Sequence, residues 1–165
     1  MGPRRYGARV PDLPDPPPGP RDPEAASTGS GGDDLVAVTA ANDAFYAAFE
    51  GRDLDAMSDL WAHDPDVTCV HPGWTTLRGW GEVASSWAAL FSGPQHLQFI
   101  LTDTHVVVSG DVAWVTGAEN LLDVDGGATI AMINVFSRAD DGRWLLRAHH
   151  GSPVVARQLD EDPGS

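Results

Sequence analysis

The chain contains no lysine and a single cysteine, Cys69. Arginine alone supplies the 10 basic side chains, which face 24 acids for a formal charge of −14. Over residues 35–165 the imbalance is eighteen acids to six arginines. Such a field repels phosphate backbones and anionic lipid, so neither nucleic acid nor a membrane surface is expected as a partner. One cysteine excludes an internal disulfide framework and a cysteine-built zinc site. No apolar run approaches the roughly 20 residues that span a bilayer. The paired arginines Arg4 and Arg5 are not followed by an apolar export segment of about 7–15 residues, and the expected location is the cytoplasm.

Large apolar side chains are also scarce in residues 1–34, which carry eight of the 13 prolines together with STGSGGDD. That composition cannot bury enough apolar surface to offset its ordering entropy and reads as a disordered tail. Residues 35–157 form the expected domain, long enough for one core, and residues 158–165 read as a flexible acidic end.

From Leu35 the pattern turns helical. Val38, Ala41, Phe45 and Phe49 share helical spacing, and Gly51 stands where a C-terminal cap belongs. Asp53 is a candidate N-cap for a second helix, LDAMSDLWA, with Leu54, Met57, Leu60 and Trp61 as its apolar stripe. DVTCVH alternates as a strand and is followed by a glycine-rich bend. A third helix carries Val83, Trp87, Leu90 and Phe91, and Gly93-Pro94 stops it. Four β-branched and aromatic runs follow, separated by the turn sequences SGD, DGG and ADDG. Helices first and strands afterwards give an α+β domain: three N-terminal helices packed on a strongly curved antiparallel sheet.

Alternation along strands shows which polar side chains share a face with apolar neighbours. His71 follows Val67 and Cys69. Glu119 follows Ala113, Val115 and Gly117. Asn134 interrupts Ile130, Met132 and Phe136, and in the last strand the row Trp144, Leu146, Ala148 leads to His150. Burying any of these without a partner costs about 1–3 kcal/mol, so the four either satisfy one another or surround a cavity. The opposite row of the Glu119 strand, with Trp114, Ala118 and Leu122, is apolar as well, and alternation does not rank the two; a sheet apolar on both sides points to helices on one face and a second subunit on the other.

The stretches YAAFEGRDLDAMSDLWAHDPDVTCVHPG, RGWGEVASSW, VSGDVAWVTGAEN and GRWLLRAHHGSP resemble the SnoaL-like members of the nuclear transport factor 2-like (NTF2-like) superfamily, which also holds ketosteroid isomerase and a kinase association domain. The resemblance covers about residues 35–155. It implies a cone-shaped cavity between three helices and a bent sheet, a homodimer, and a hydrophobic small molecule as partner, with no cofactor. Isomerases, cyclases, hydrolases and non-catalytic binders share the cone. By this resemblance His71 stands where the isomerases carry a carboxylate base, and Asn134 where they carry an acid that donates to the oxyanion. Their oxyanion tyrosine falls nearest Phe45, with Tyr46 one residue along. His71 is thus the expected general base and Asn134 the expected hydrogen-bond donor, acting on a hydrophobic carbonyl-containing metabolite. Tyr46, Trp74, Glu119 and His150 are the expected ligand contacts, Trp74 covering the cavity from the bend.

The remaining candidates read as structural. His149 and His150 are adjacent on a strand and point to opposite faces, so they do not share a metal with His71, and no metal site is expected. Cys69 lies within a strand as a small apolar residue. His63, His96 and His105 stand at element ends or beside acids. The pairs Asp123/Asp125 and Asp140/Asp141 belong to hairpin turns.

Overall fold

A computed structural model describes residues 30–122 and 127–155. The tail up to residue 29, the turn carrying Asp123 and Asp125, and the acidic end lie outside the described residues. The elements run α1 (Ser30–Gly51), α2 (Leu54–Leu60), β1 (Thr68–Val70), β2 (Leu77–Arg78), α3 (Trp80–Ser92), β3 (Phe99–Ser109), β4 (Val112–Leu121), β5 (Ala128–Arg138) and β6 (Trp144–Pro153). Helix α1 begins five residues ahead of the expected Leu35, and Asp34 in its first turns is held by Arg138 Nη2 of β5 at 2.7 Å.

The α1–α2 corner follows the Schellman pattern. The Arg52 N–H donates to the Phe49 carbonyl and the Asp53 N–H to that of Ala48, which closes the helix with the left-handed residue one place past Gly51. That residue is Arg52, at φ 54. Its side chain compensates for the conformation: the guanidinium donates to the Phe91 and Gly93 carbonyls at the end of α3 and to His96 Nε2. Asp53 caps α2 as expected, its Oδ1 accepting from the Ala56 N–H at 2.9 Å.

The described strands form one sheet in the order β2-β1-β6-β5-β4-β3. All neighbours are antiparallel except β1 and β6, which run parallel. Neither that pairing nor the two-residue β2 was expected; both are too short to leave a periodicity. The core lies between the helices and the inner sheet face, centred on Phe45, Met57, Trp61, Trp87, Phe136 and Leu146.

Two irregularities curve the sheet. Strand β3 carries an extra residue between Thr102 and His105, with Asp103 at φ 53. Opposite it, a Cβ on Gly117 would meet the Thr102 carbonyl oxygen at 3.1 Å and Met132 Cε at 3.3 Å, so a side chain there would press on the β3 backbone where the strands fold over one another. The second lies in β6. Val135 pairs with Ala148 but Phe136 pairs with Leu146, which leaves Arg147 as the extra residue, and its guanidinium is tied to Asp64.

Candidate functional site

Beyond the bend of the sheet the cone is hollow. A cavity of about 270 Å³ opens between the C-terminal ends of α1 and α3, the bend after β1 and strands β3 to β6, lined by apolar side chains that include Phe49, Leu90, Phe99 and Ile130. Its polar side chains are His71, Gln95, Glu119 and His149, and Trp74 stands at its rim, 45 % exposed. A dry cavity of about 150 Å³ accommodates benzene, so this one has room for about ten to twelve non-hydrogen atoms.

His71 reaches the cavity because β1 alternates as read: Val67, Cys69 and His71 are all buried on one face. The imidazole meets the Trp74 ring at 5.0 Å and the Trp87 ring at 4.7 Å, both edge-on. Its Nε2 lies 2.9 Å from the Ser86 hydroxyl of α3, and that hydroxyl donates to the Val83 carbonyl at 2.7 Å. Burial lowers the His71 pKa to about 4, so the ring is neutral at physiological pH.

Glu119 faces inward on β4 and is only 3 % exposed. The Tyr46 hydroxyl donates to its Oε1 at 2.6 Å. Burial raises the carboxyl pKa to about 7, with the Tyr46 hydrogen bond acting in the opposite sense. Burial raises the Tyr46 phenol above its ordinary value, Glu119 adds to this, and a hydrogen bond from Asn134 offsets part of it. Tyr46 therefore remains a proton donor behind Glu119 and is not among the cavity-lining side chains.

Asn134 is fully buried one layer behind the cavity wall. Its Nδ2 donates to Asn42 Oδ1 at 2.8 Å and its Oδ1 lies 2.6 Å from His149 Nδ1. The amide expected to meet a ligand oxygen instead holds the ring next to it. The expected position of His150 is also corrected. The extra residue Arg147 shifts the alternation of β6 by one, so that Leu146 and His149 point inward and His150 is exposed, bonded to Ser152 at 2.9 Å. The one-residue slip exchanges the two histidines, since side-chain period along a strand is two. His149 lines the cavity with its ring centroid 6.4 Å from that of His71. Burial, then the charges of His71 and His150, lower its pKa to about 3.

Asn42, Ser86 and His149 are the site residues that sequence patterning does not single out. Asn42 falls between Val38 and Phe45 on the buried stripe of α1, and Ser86 one residue before Trp87 on that of α3, so polar residues inside helical apolar stripes are the signal for both. His149 has no such mark, because no glycine or proline announces the irregularity at Arg147. Among the described residues no group of three or more His, Cys, Asp and Glu side chains is arranged to hold a metal ion, and no helix is long and apolar enough to cross a membrane. Cys69 is buried, and desolvation pushes its thiol up to about 12.

Residues 38–156 match the model of the SnoaL-like domain family. A Streptomyces avermitilis protein of the NTF2-like family, provisionally called a dehydratase, is 41 % identical, with a TM-score of 0.70 over 77 % of this chain and 100 % of that one. A Thiobacillus denitrificans protein, provisionally called a calcium/calmodulin-dependent protein kinase type II association domain, is 34 % identical at a TM-score of 0.65, covering 71 % of this chain and 94 % of its own. A Shewanella frigidimarina protein provisionally called a ketosteroid isomerase shares the fold at 19 % identity and a TM-score of 0.62, over 70 % of this chain and 94 % of that one. No curated protein matches the sequence.

Proposed function

The chain belongs to the SnoaL-like domain family of NTF2-like folds, and from that premise we propose that it binds a compact, uncharged, carbonyl-containing metabolite and moves a proton on it, by isomerisation or by elimination of water. The observation that carries this reading is Glu119: a carboxyl on the wall of an apolar cavity, held by the Tyr46 hydroxyl, with its pKa brought to about 7. A group poised near the working pH is the efficient proton carrier. The carboxylate takes a proton from the carbon beside the carbonyl, leaving an enolate. The protonated carboxyl then returns that proton to another carbon of the conjugated system, or to a departing hydroxyl that leaves as water. The Tyr46 hydrogen bond stabilises the carboxylate before the first step and again after the second.

His71 was expected to be the base because an ordinary imidazole titrates near neutrality. At about 4 it is a weaker base than Glu119, and its part in this reading is to accept a hydrogen bond from the ligand. Trp74 covers the mouth. The cavity volume favours one or two rings and excludes full enclosure of a four-ring steroid. Among the described residues the cavity wall carries a carboxyl and no arginine, which disfavours carboxylate or phosphate substrates.

Hydrogen–deuterium exchange at the carbon between ring and carbonyl of 2-tetralone, followed by proton NMR, tests the proton transfer without knowledge of the natural substrate. The wild-type protein is expected to accelerate exchange above buffer, and Glu119→Gln to remove about 10²–10⁴-fold of that acceleration. Exchange equal to buffer, or an unaffected Glu119→Gln variant, overturns the reading.

A second, non-catalytic reading as a dimeric interaction module draws on the outer sheet face, where Ile100, Leu122 and Ile133 are exposed beside half-buried Trp114 and Val135. We infer a homodimer through this face, in either reading, because an apolar patch on an open sheet favours a partner. Light scattering on the purified chain checks it, and a monomer at micromolar concentration refutes it. The cytoplasmic location expected from the sequence stays part of the same proposal.

A further inference from the structure

The protons around the cavity can be followed one by one. The Ser86 hydroxyl has one proton, and it is directed to the Val83 carbonyl. The oxygen is left to accept, so His71 carries its proton on Nε2 and donates it to Ser86. Its Nδ1 is then an acceptor with no oxygen or nitrogen partner among the described residues; only the weak Cys69 thiol approaches it, Sγ lying 3.9 Å from Nδ1 and 3.7 Å from Nε2. On the opposite wall the Asn134 amide nitrogen donates to Asn42, so the Asn134 oxygen accepts the Nδ1 proton of His149. That leaves His149 Nε2 without a partner among the described residues. The Tyr46 proton is likewise committed to Glu119.

We propose that Ser86 and the Asn42–Asn134 pair are positioning residues that lock His71 and His149 in opposite tautomers, so that the cavity presents two bare ring nitrogens and selects an uncharged ligand bearing hydroxyl protons. This rests on the acid–base reading of the same cavity and extends it to substrate class. A plain ketone offers no proton to either imidazole and is held more weakly, by the apolar wall alone, without being excluded, whereas a hydroxy-ketone, enol or phenol satisfies one or both. An unsatisfied acceptor beside a bound ligand is penalised, so discrimination between a hydroxyl and its methyl ether follows from the same hydrogen bonds.

Two measurements on the full chain test this. Nitrogen-15 NMR of the histidine side chains at pH 7.5 is expected to show His71 protonated on Nε2 and His149 on Nδ1. Ser86→Ala is expected to mix the His71 tautomers while leaving His149 unchanged, and Ser86→Thr to restore the wild-type pattern, which a merely structural serine would not do. Titration calorimetry with 2-naphthol and 2-methoxynaphthalene is expected to favour the phenol by about ten-fold, and that preference to shrink in His149→Phe. His71 found as the Nδ1–H tautomer in the wild type, or equal binding of phenol and ether, overturns the proposal. Because neither readout needs turnover, Glu119→Gln separates the two readings: lost exchange with both tautomers intact supports each independently.

Discussion

Replacing Glu119 by glutamine should stabilise the protein, and increasingly so as the pH rises. The carboxyl titrates at about 7 in the folded state against an ordinary 4.5. A raised carboxyl pKa means that folding favours the protonated form, so its contribution is unpenalised below 4.5 and stability declines as the pH rises from 4.5 through 7. The shift of about 2.5 pH units corresponds to about 3 kcal/mol once ionisation is complete. Integrated between pH 5.5 and 8.5, the wild type loses about 2 kcal/mol to this group alone. Glutamine keeps the shape, still accepts the Tyr46 proton and has no charge to desolvate. Urea unfolding of both proteins at the two pH values isolates the effect, since every other titrating group is common to them. The expected result is a stability difference that moves in favour of Glu119→Gln by about 2 kcal/mol from pH 5.5 to 8.5. A difference independent of pH would refute a carboxyl held near neutrality, and the proposed proton carrier with it.

Catalysed exchange on 2-tetralone should rise with pH through an apparent pKa of about 7, as Glu119 ionises, with no further limb from His71 or His149, which are neutral throughout that range. The lowered pKa values of both imidazoles act on stability in acid. Unfolded, they bind protons near 6.5, so the stability they confer is complete above 6.5 and is lost as the pH falls towards 4 and 3. In a Glu119→Gln background, where the opposing slope is gone, His149→Phe should flatten this acid loss as followed by urea midpoints. His150→Ala, by contrast, should change stability at pH 7 by less than about 0.5 kcal/mol in the same assay, as for other exposed positions. Gly117→Val should cost about 1–3 kcal/mol in urea unfolding, because its side chain collides with β3 backbone and Met132.

Most of the architecture could be read from periodicity. The three helices follow their apolar spacing, and the alternation of β1 and β5 turns His71 and Asn134 inward; both rows of β4 are apolar, so alternation alone leaves the side of Glu119 open, and the structure turns it inward. Where reading failed, a local backbone event had no residue-level mark. The left-handed conformation fell on Arg52 instead of on Gly51 because a guanidinium bonded across to α3 offsets the strain. His150 was expected inside because counting by twos ran straight across Arg147. The chemical roles were less accessible still. An ordinary histidine pKa near 6.5 and an ordinary glutamate pKa near 4.5 make His71 the natural base, and only burial inverts that order. Likewise, the sequence places Asn134 on the inner face without revealing that Asn42 and His149 take up both ends of its amide.

The bulge at Arg147 gives the doublet His149-His150 a meaning that neither residue has singly. With the irregularity present, the first histidine enters the cone; were the strand to run straight, the second would. Either phase therefore delivers an imidazole to the interior, and insertion or removal of the kink changes which ring is supplied and which neighbours it meets, but never whether one is supplied. A paired residue type thus guards against slippage, placed where the backbone is most able to skip a step.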